Sequence, residues 1–441
     1  MISSIVYLPV ELKHRELDAR LMTAAHLLEA GVSVVLGQQW AIFQNFPAWP
    51  PGLILFKTVN DIQARSMKNF QIMEHVVAAT DEEVLTCVKS FCVAFSPRAA
   101  EHCDVFYAQS ELHKTDVENR FPNMQGKVVV TGNPRIEMTS RLGRQAFQAE
   151  ADEIRRQTGP FVLLNANYSG INSVWGSTES VYKVILGAGL LNADDPNAVE
   201  TFKSWMNWEE ITRRDMIRFL VWAAENIRDR KIVIRPHPGE RVEFWQDLVN
   251  DHPNVLVVPK SPHIPWIMAS DLVVHTGCTT GLEAALLEKP ALNIQSAPDP
   301  LGERITSLVN PTFTSAEDAI TAANSFLRHN TGPLADMSAF DAVLEQYFPG
   351  FHDGGPAKRI AEECIINLSK RDALPASTIE WSAVGGKYRV FERTGPTLEK
   401  FSITPEEILG AFEVIARKIG ATRKVNISPI DDSLFLFQSM S

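Results

Sequence analysis

The chain has no surplus of positive charge: 42 Lys and Arg against 53 Asp and Glu give a formal net charge of −11. A general nucleic-acid binder needs a basic face to neutralise phosphates, so that class is excluded, although a local pocket for one nucleotide is not. Cysteine is scarce. Cys87, Cys92, Cys103, Cys278 and Cys364 are odd in number and fit neither a metal knuckle nor a CxxC redox pair. Free buried thiols in a reducing compartment are the expectation. No apolar run approaches the roughly 20 residues of a membrane helix. The opening stretch, Met1 to Val10, has no basic region before its apolar run and no small-residue cleavage site after it. A cytoplasmic location is therefore expected, with room for peripheral membrane contact at the inner face through a small patch. Repeats and low-complexity tracts are also missing. What is present, 45% hydrophobic and 22% charged residues, is the mix of a folded globular protein, and 441 residues exceed what one core serves. Two or three domains follow.

Short apolar runs recur along the first third: Ile5–Pro9, Val32–Gly37, Leu53–Phe56, Val76–Ala79, Val105–Ala108 and Val128–Thr131. Between the first two, Arg15–Ala30 carries Leu17, Leu21, Ala24, Ala25 and Leu28 at helical spacing, with Gly31 as a stop signal. This strand–helix beat predicts a parallel sheet covered on both faces. The beat breaks in the polar segment 139–158, and a fresh set begins at Phe161–Leu164, then Ile232–Arg235, Val255–Val258, Leu272–His275 and Ala291–Ile294. The predicted fold class is α/β of the GT-B kind, a plan that other paired Rossmann-like folds share: two Rossmann-like αβα domains, 1–150 and 151–369, with a small α+β appendage at 370–441. Residues 172–215 read as an irregular insertion before a helix at 215–229. In the last segment, Trp381–Glu392 alternates like a strand, Pro405–Ile419 is helical and Ser433–Phe437 is strand-like.

In such sheets ligands bind beyond the carboxyl ends of strands. One such end is Arg235-Pro236-His237-Pro238-Gly239-Glu240. Two prolines stiffen the turn, and Arg235 and His237 can donate to a phosphate; a stiff turn with a satisfied histidine is the plain structural alternative. A second end is His275-Thr276-Gly277-Cys278-Thr279-Thr280-Gly281-Leu282-Glu283, small residues leading into a helix. Thr280 and Glu283 have capping-box spacing, and the helix start with Thr276, Thr279 and the two glycines would suit an anion. A third is Thr80-Asp81-Glu82-Glu83, adjacent acids whose mutual repulsion favours a general base, or whose charge simply suits a helix start. Asn165, Asn167 and the turn Thr131-Gly132-Asn133-Pro134-Arg135 also close strands, and Glu11 and Arg15 follow the first one, as cleft residues or as a surface salt-bridge cluster.

Taken in order, Pro9-x-Glu11 with Arg15-Glu16-Leu17, Asp81-Glu82-Glu83, Thr131–Arg135, His237-Pro238 and Thr279-Thr280-Gly281-x-Glu283-Ala284 resemble the bacterial surface carbohydrate (capsular polysaccharide) biosynthesis family over about residues 1–369. More distantly, the chain is similar to GT-B enzymes that use CMP-activated sugars, the sialyl- and Kdo transferases. Their acidic motif matches Glu82-Glu83-Val84, with Val84 in place of glycine; their HP motif matches His237-Pro238, and their Ser/Thr pair Thr279-Thr280. The resemblance implies transfer of a sugar, CMP-linked, to a surface polysaccharide or glycolipid acceptor, with no cofactor and no metal. Asp81, Glu82 or Glu83 would be the catalytic acid or base on the acceptor side. Arg235, His237, Pro238, Thr276, Gly277, Thr279, Thr280, Gly281, Glu283 and Asn165 would hold the nucleotide and its phosphate. The fold also admits a nucleotide-sugar 2-epimerase, a glycerophosphotransferase, or a non-catalytic nucleotide-sugar-binding subunit of an assembly complex. A homodimer would give the aromatic-rich tail a surface to bury.

Overall fold

The computed structural model describes residues 3–81, 88, 95–187, 191–259, 261–300, 302–334, 338–351, 353–375, 379, 384, 387–389 and 401–440. By compactness these fall into two units, one holding the described residues of 3–81, 95–146 and 346–440, the other residue 88 and those of 147–345.

The first unit is built on β1 (Ile5–Val10), β2 (Ser33–Gln38), β3 (Leu53–Phe56), β4 (Val76–Ala79), β5 (Val105–Ala108) and β6 (Val128–Val130), parallel in the order β2-β1-β3-β4-β5-β6. Strands buried on both faces need continuous apolar runs, and β1 to β5 have them. The helix Lys13–Glu29 ends at Ala30, with Gly31 at φ +83° turning the chain into β2. The core gathers Tyr7, Trp49, Phe56, Phe70 and Phe106.

The C-terminal segment joins this unit. Helix Pro356–Ser369, expected with the second domain, packs on helix Lys13–Glu29. Helix Pro405–Lys418 starts in a full capping box of Thr404 and Glu407. A hairpin of β13 (Val425–Asp431) and β14 (Leu434–Ser439) then pairs antiparallel with β2, so the expected appendage extends the first sheet to eight strands. The reason is that β2 would otherwise end the sheet with its polar backbone edge open and apolar side chains on both faces. Leu434 to Phe437 are buried there, and Gly37 is required, because a Cβ would stand 2.3 Å from the Ser433 carbonyl oxygen. The expected strand Trp381–Glu392 falls largely outside the described residues.

The second unit carries β7 (Phe161–Asn165), β8 (Lys231–Arg235), β9 (Val255–Val257), β10 (Leu272–His275), β11 (Ala291–Ile294) and β12 (Thr312–Phe313), all parallel, in the order β12-β11-β10-β7-β8-β9. This is the doubly wound arrangement, whose order reverses between β7 and β10. The insertion is not irregular. It holds helix Thr178–Gly187 and the 31-residue helix Pro196–Asn226, started by Asp195, whose side chain accepts from Asn197 N–H, and by Pro196 at the first position. The core packs Met216, Phe219, Leu220 and Trp245 against the sheet. Among the described residues no helix is long and apolar enough to cross a membrane.

Candidate functional site

The reversal point of the second sheet brings three strand ends side by side. Asn165 ends β7 in register with Arg235 at the end of β8, and His275 on β10 follows directly after the paired residues Leu164 and Val274. All three are buried. The Asn165 Nδ2 and both ring nitrogens of His275 have no hydrogen-bond partner among the described residues. A buried donor left unpaired costs about 1–3 kcal/mol. Burial holds the His275 ring neutral, with its pKa pulled down to about 3.

Beyond His275 the chain turns at Gly277, whose φ of +56° suits glycine, and its N–H donates to Asn293 Oδ1 at 2.8 Å. The helix Thr279–Leu286 follows, two residues earlier than the spacing of Thr280 and Glu283 implied. Its N-cap is Cys278, and the expected capping box does not form. Thr280 Oγ1 meets Cys278 Sγ at 2.6 Å instead, and Glu283 is drawn inward to His263, Oε2 to Nε2 2.9 Å. Gly281 lies against the His275 ring, which an added Cβ would approach to 2.2 Å. Thr276 is buried and shares a 2.8 Å hydrogen bond with the Tyr168 hydroxyl, whose pKa burial raises. The half-buried Gly277, Thr279 and Thr280 form the accessible lip of the helix start. There the helix dipole favours an anion.

At the end of β8, Arg235 turns its guanidinium into the protein, donating from Nη2 to the carbonyl and, at 3.2 Å, the hydroxyl of Ser261. Burial lowers its pKa to about 10, against the charges of Glu283 and Glu150. His237 and Pro238, by contrast, are exposed. Gly239 N–H donates to His237 Nδ1 at 3.1 Å, which places the proton of the neutral ring on Nε2. This turn is held by Glu240, which sequence reasoning passed over. Its Oε1 accepts from the N–H groups of His237 and Tyr168 at 3.0 and 3.1 Å, and its Oε2 from Trp245 Nε1 and Asn172 Nδ2 at 2.9 and 3.3 Å. Glu209, on the long helix, accepts from Gly170 and Ile171 N–H and so fixes the loop after β7. Burial, with the Glu240 charge adding, lifts its pKa to about 8.

The loop after β11 and the long helix supply further residues that no motif announced. Trp208, Asp299 and Arg304 surround Gly277, each within 4.0 Å of where its Cβ would stand. Trp208 Nε1 donates to the Ala297 carbonyl at 3.1 Å, and Arg304 Nε to Asp299 Oδ2 at 2.9 Å. Asp299 and Arg304 had position alone as a signal, after a strand's carboxyl end; Trp208, within helix Pro196–Asn226, had none.

In the first unit, the carboxyl edge is also polar. Lys57, after β3, lies 2.6 Å from Glu11 Oε2 and 3.4 Å from Glu16 Oε1, so Glu11 belongs to an ion triad where the order reverses between β1 and β3. Arg15 is half-buried and Asp81, after β4, is buried; Glu82, Glu83 and Val84 lie outside the described residues. Asn133 Oδ1 caps the short helix Pro134–Glu137 by accepting from Arg135 N–H. Arg135 is buried, and the neighbouring Thr131 carbonyl accepts from Arg359 Nε at 2.7 Å. Glu137 Oε2 accepts from Ala357 N–H, and burial raises its pKa to about 7. Cys103 and Cys364 are free and buried, and Cys278 is free and half-buried.

No family model and no curated protein matches the chain. Solved structures do. A UDP-N-acetylglucosamine 2-epimerase from Rickettsia bellii, 11% identical, aligns over 84% of this chain and 98% of its own with a TM-score of 0.50. A UDP-GlcNAc 2-epimerase from Neisseria meningitidis bound to UDP-GlcNAc, 13% identical, aligns over 80% and 82% with a TM-score of 0.45. The wall teichoic acid polymerase TagF, 10% identical, aligns over 84% and 90% with a TM-score of 0.49. At such identities what is shared is architecture: this chain has the fold of two Rossmann-like units found in the Rickettsia epimerase.

Proposed function

We propose that this chain is a nucleotide-sugar enzyme that binds its donor at the carboxyl edge of β7, β8 and β10 and transfers the sugar to a surface polysaccharide or glycolipid acceptor. The observation that carries the reading is the neighbouring pair Asn165 and His275, buried with unpartnered nitrogens at the sheet's reversal point, beside the helix start at Thr279. Anion, helix start and exposed His237 then have consistent roles: the helix dipole holds phosphate, and His237 Nε2–H donates to the departing phosphate oxygen. Asp81, Glu82 and Glu83 are the candidates for activating an acceptor hydroxyl. The donor is proposed to be CMP-linked, on the motif order His237-Pro238 and Thr279-Thr280.

The test is thermal stabilisation by CMP, UMP, UDP, GMP and AMP. A ligand at about 100 times its dissociation constant adds roughly 2.7 kcal/mol. CMP should stabilise most, and His237→Ala should weaken binding without lowering the melting temperature of the free protein. A preference for UDP overturns the CMP assignment, and epimerised product without acceptor would move the reaction to 2-epimerisation, the activity named for the Rickettsia structure.

A further inference from the structure

We infer that Trp175 is the stacking platform for a sugar ring beside the His237 turn; this rests on the nucleotide-sugar reading above. Residues 172–176 lie in the loop between β7 and helix Thr178–Gly187. That loop is tied to the His237 turn along its length. Arg241 N–H donates to the Asn172 carbonyl and Val174 N–H to the Gly239 carbonyl, both at 2.9 Å, and Ser173 forms an antiparallel bridge with Glu240. Asn172 Nδ2 donates to Glu240 Oε2 at 3.3 Å and to the Arg241 carbonyl at 3.0 Å. Glu240 also accepts from His237 N–H, so loop and turn form one hydrogen-bonded piece.

At the tip, Gly176 N–H closes on the Ser173 carbonyl at 3.0 Å, and Ser173 Oγ accepts from Trp175 N–H at 3.2 Å. Asn172 and Ser173 are buried, yet Val174 and Trp175 stand 52% and 54% exposed. Trp49, Trp208 and Trp245 are buried, and each donates its Nε1 to a protein oxygen. The Trp175 indole, among the described residues, meets no other ring and donates to no protein group. Tryptophan is highly buried on average, so a half-exposed one on a braced loop is the informative case. Held there, it loses little freedom on binding. The order of groups in a nucleotide sugar says what it meets. Phosphate lies at the Thr279 helix start, and His237 serves the oxygen that leaves the sugar. A loop fastened to the His237 turn therefore borders the sugar end of the ligand rather than the base. A pyranose offers a face of C–H groups with hydroxyls around its rim, and a flat indole covers the face while the rim stays wet.

The experiment titrates the full chain by calorimetry with CMP, CMP-N-acetylneuraminate, UDP, UDP-GlcNAc, and oligosialic acid in the presence of CMP. The proteins are the wild type, Trp175→Ala and Trp175→Phe. Trp175→Ala should weaken the sugar-bearing ligand by about 10-fold or more, the scale of truncating an aromatic anchor, and leave CMP unchanged. Trp175→Phe, a smaller face on the same loop, should lose part of that affinity even if alanine loosens the loop. A loss confined to CMP-N-acetylneuraminate assigns the platform to the donor's sugar, and one confined to oligosialic acid assigns it to the acceptor's. Equal sugar binding by all three proteins overturns the inference. So does a parallel loss of CMP, which would make Trp175 a platform for the base. If the wild type instead prefers UDP-GlcNAc, and Trp175→Ala loses it but not UDP, the CMP assignment falls and the role of Trp175 stands. A wild type that binds neither nucleotide nor sugar removes both.

Discussion

One added methyl group tests the geometry of the site. A Cβ on Gly281 would lie 2.2 Å from both Cε1 and Nε2 of His275 and 2.7 Å from Cδ2. That ring is fully buried on a strand end and has no open space to swing into. In a free helix interior, glycine to alanine is worth about 1 kcal/mol of stabilisation, and somewhat less in a first turn, where Gly281 sits. Overpacking a filled core costs about 1–3 kcal/mol. With contacts this short the second effect wins, and Gly281→Ala should lose about 1–2 kcal/mol net, a melting shift of roughly 3–6 °C for a unit of this size. His275→Ala removes the obstacle. In that background the same Gly281→Ala change should be neutral or stabilising, giving a coupling of about 2 kcal/mol in the double-mutant cycle. Chemical denaturation of the four proteins measures it. If Gly281→Ala alone melts at or above the wild type, or shifts both backgrounds equally, His275 does not brace the helix start and the site as described is wrong.

Glu240→Ala should cost about 3 kcal/mol or more, because it strands the Tyr168 and His237 amides and the Trp245 indole, while Glu240→Gln should cost clearly less; denaturation midpoints of the two variants decide it. The Glu209 carboxyl, raised to about 8 in the fold from its ordinary 4.5, binds more protons folded than unfolded, so its contribution is lost as pH rises through that window. His75, His113 and His275, lowered to about 3, 4 and 3, act with the opposite sign but only below about pH 6.5. Stability should therefore fall between pH 6.5 and 8.5, by on the order of 2 kcal/mol from Glu209, and Glu209→Gln should flatten that slope in melting curves; an unchanged slope would refute the assignment. A chain ending at residue 370 should aggregate, because loss of β14 bares the β2 edge and the faces that Leu434 to Phe437 cover; a soluble, monomeric product by light scattering would show that the hairpin is dispensable.

Strands were the legible part of this fold, for a definite reason. A parallel strand is buried on both faces, so it must be a short unbroken apolar run, and β3, β4, β5, β10 and β11 occur at the residues such runs mark. Helix Pro196–Asn226 was legible only in its last third. Its earlier turns carry Trp205, Asn207, Trp208 and Glu209, and what makes them helical is distant: Glu209 answers the amides of Gly170 and Ile171, and Trp208 answers Ala297. The pairing of β14 with β2 joins residues almost the whole chain apart, and no local period encodes it. The capping box failed for the same reason in reverse: the Thr280–Glu283 spacing is a local signal, and His263, from another helix, overrode it.

For the site, the distinction that mattered was between where ligands bind and which groups remain to bind them. The strand ends are set by period and topology, so the sequence leads to Asn165 and Arg235 without a structure, and to His275 only as the last residue of its strand. Whether a charged group at such an end faces a ligand depends on what the protein has already placed beside it. Arg235 stands in the most conspicuous motif of the chain, yet its guanidinium is engaged by Ser261. Glu240 stands at the end of that same motif without a role assigned from the sequence, yet it holds the turn through the amides of His237 and Tyr168. A motif identifies residues by type and spacing, whereas a binding role is fixed by the direction of a fork of N–H groups, and that direction is decided by partners far away in the chain. Arg235→Gln therefore tests the point: orientation predicts a lower denaturation midpoint with nucleotide affinity unchanged, and a loss of affinity at unchanged stability would return the guanidinium to the ligand.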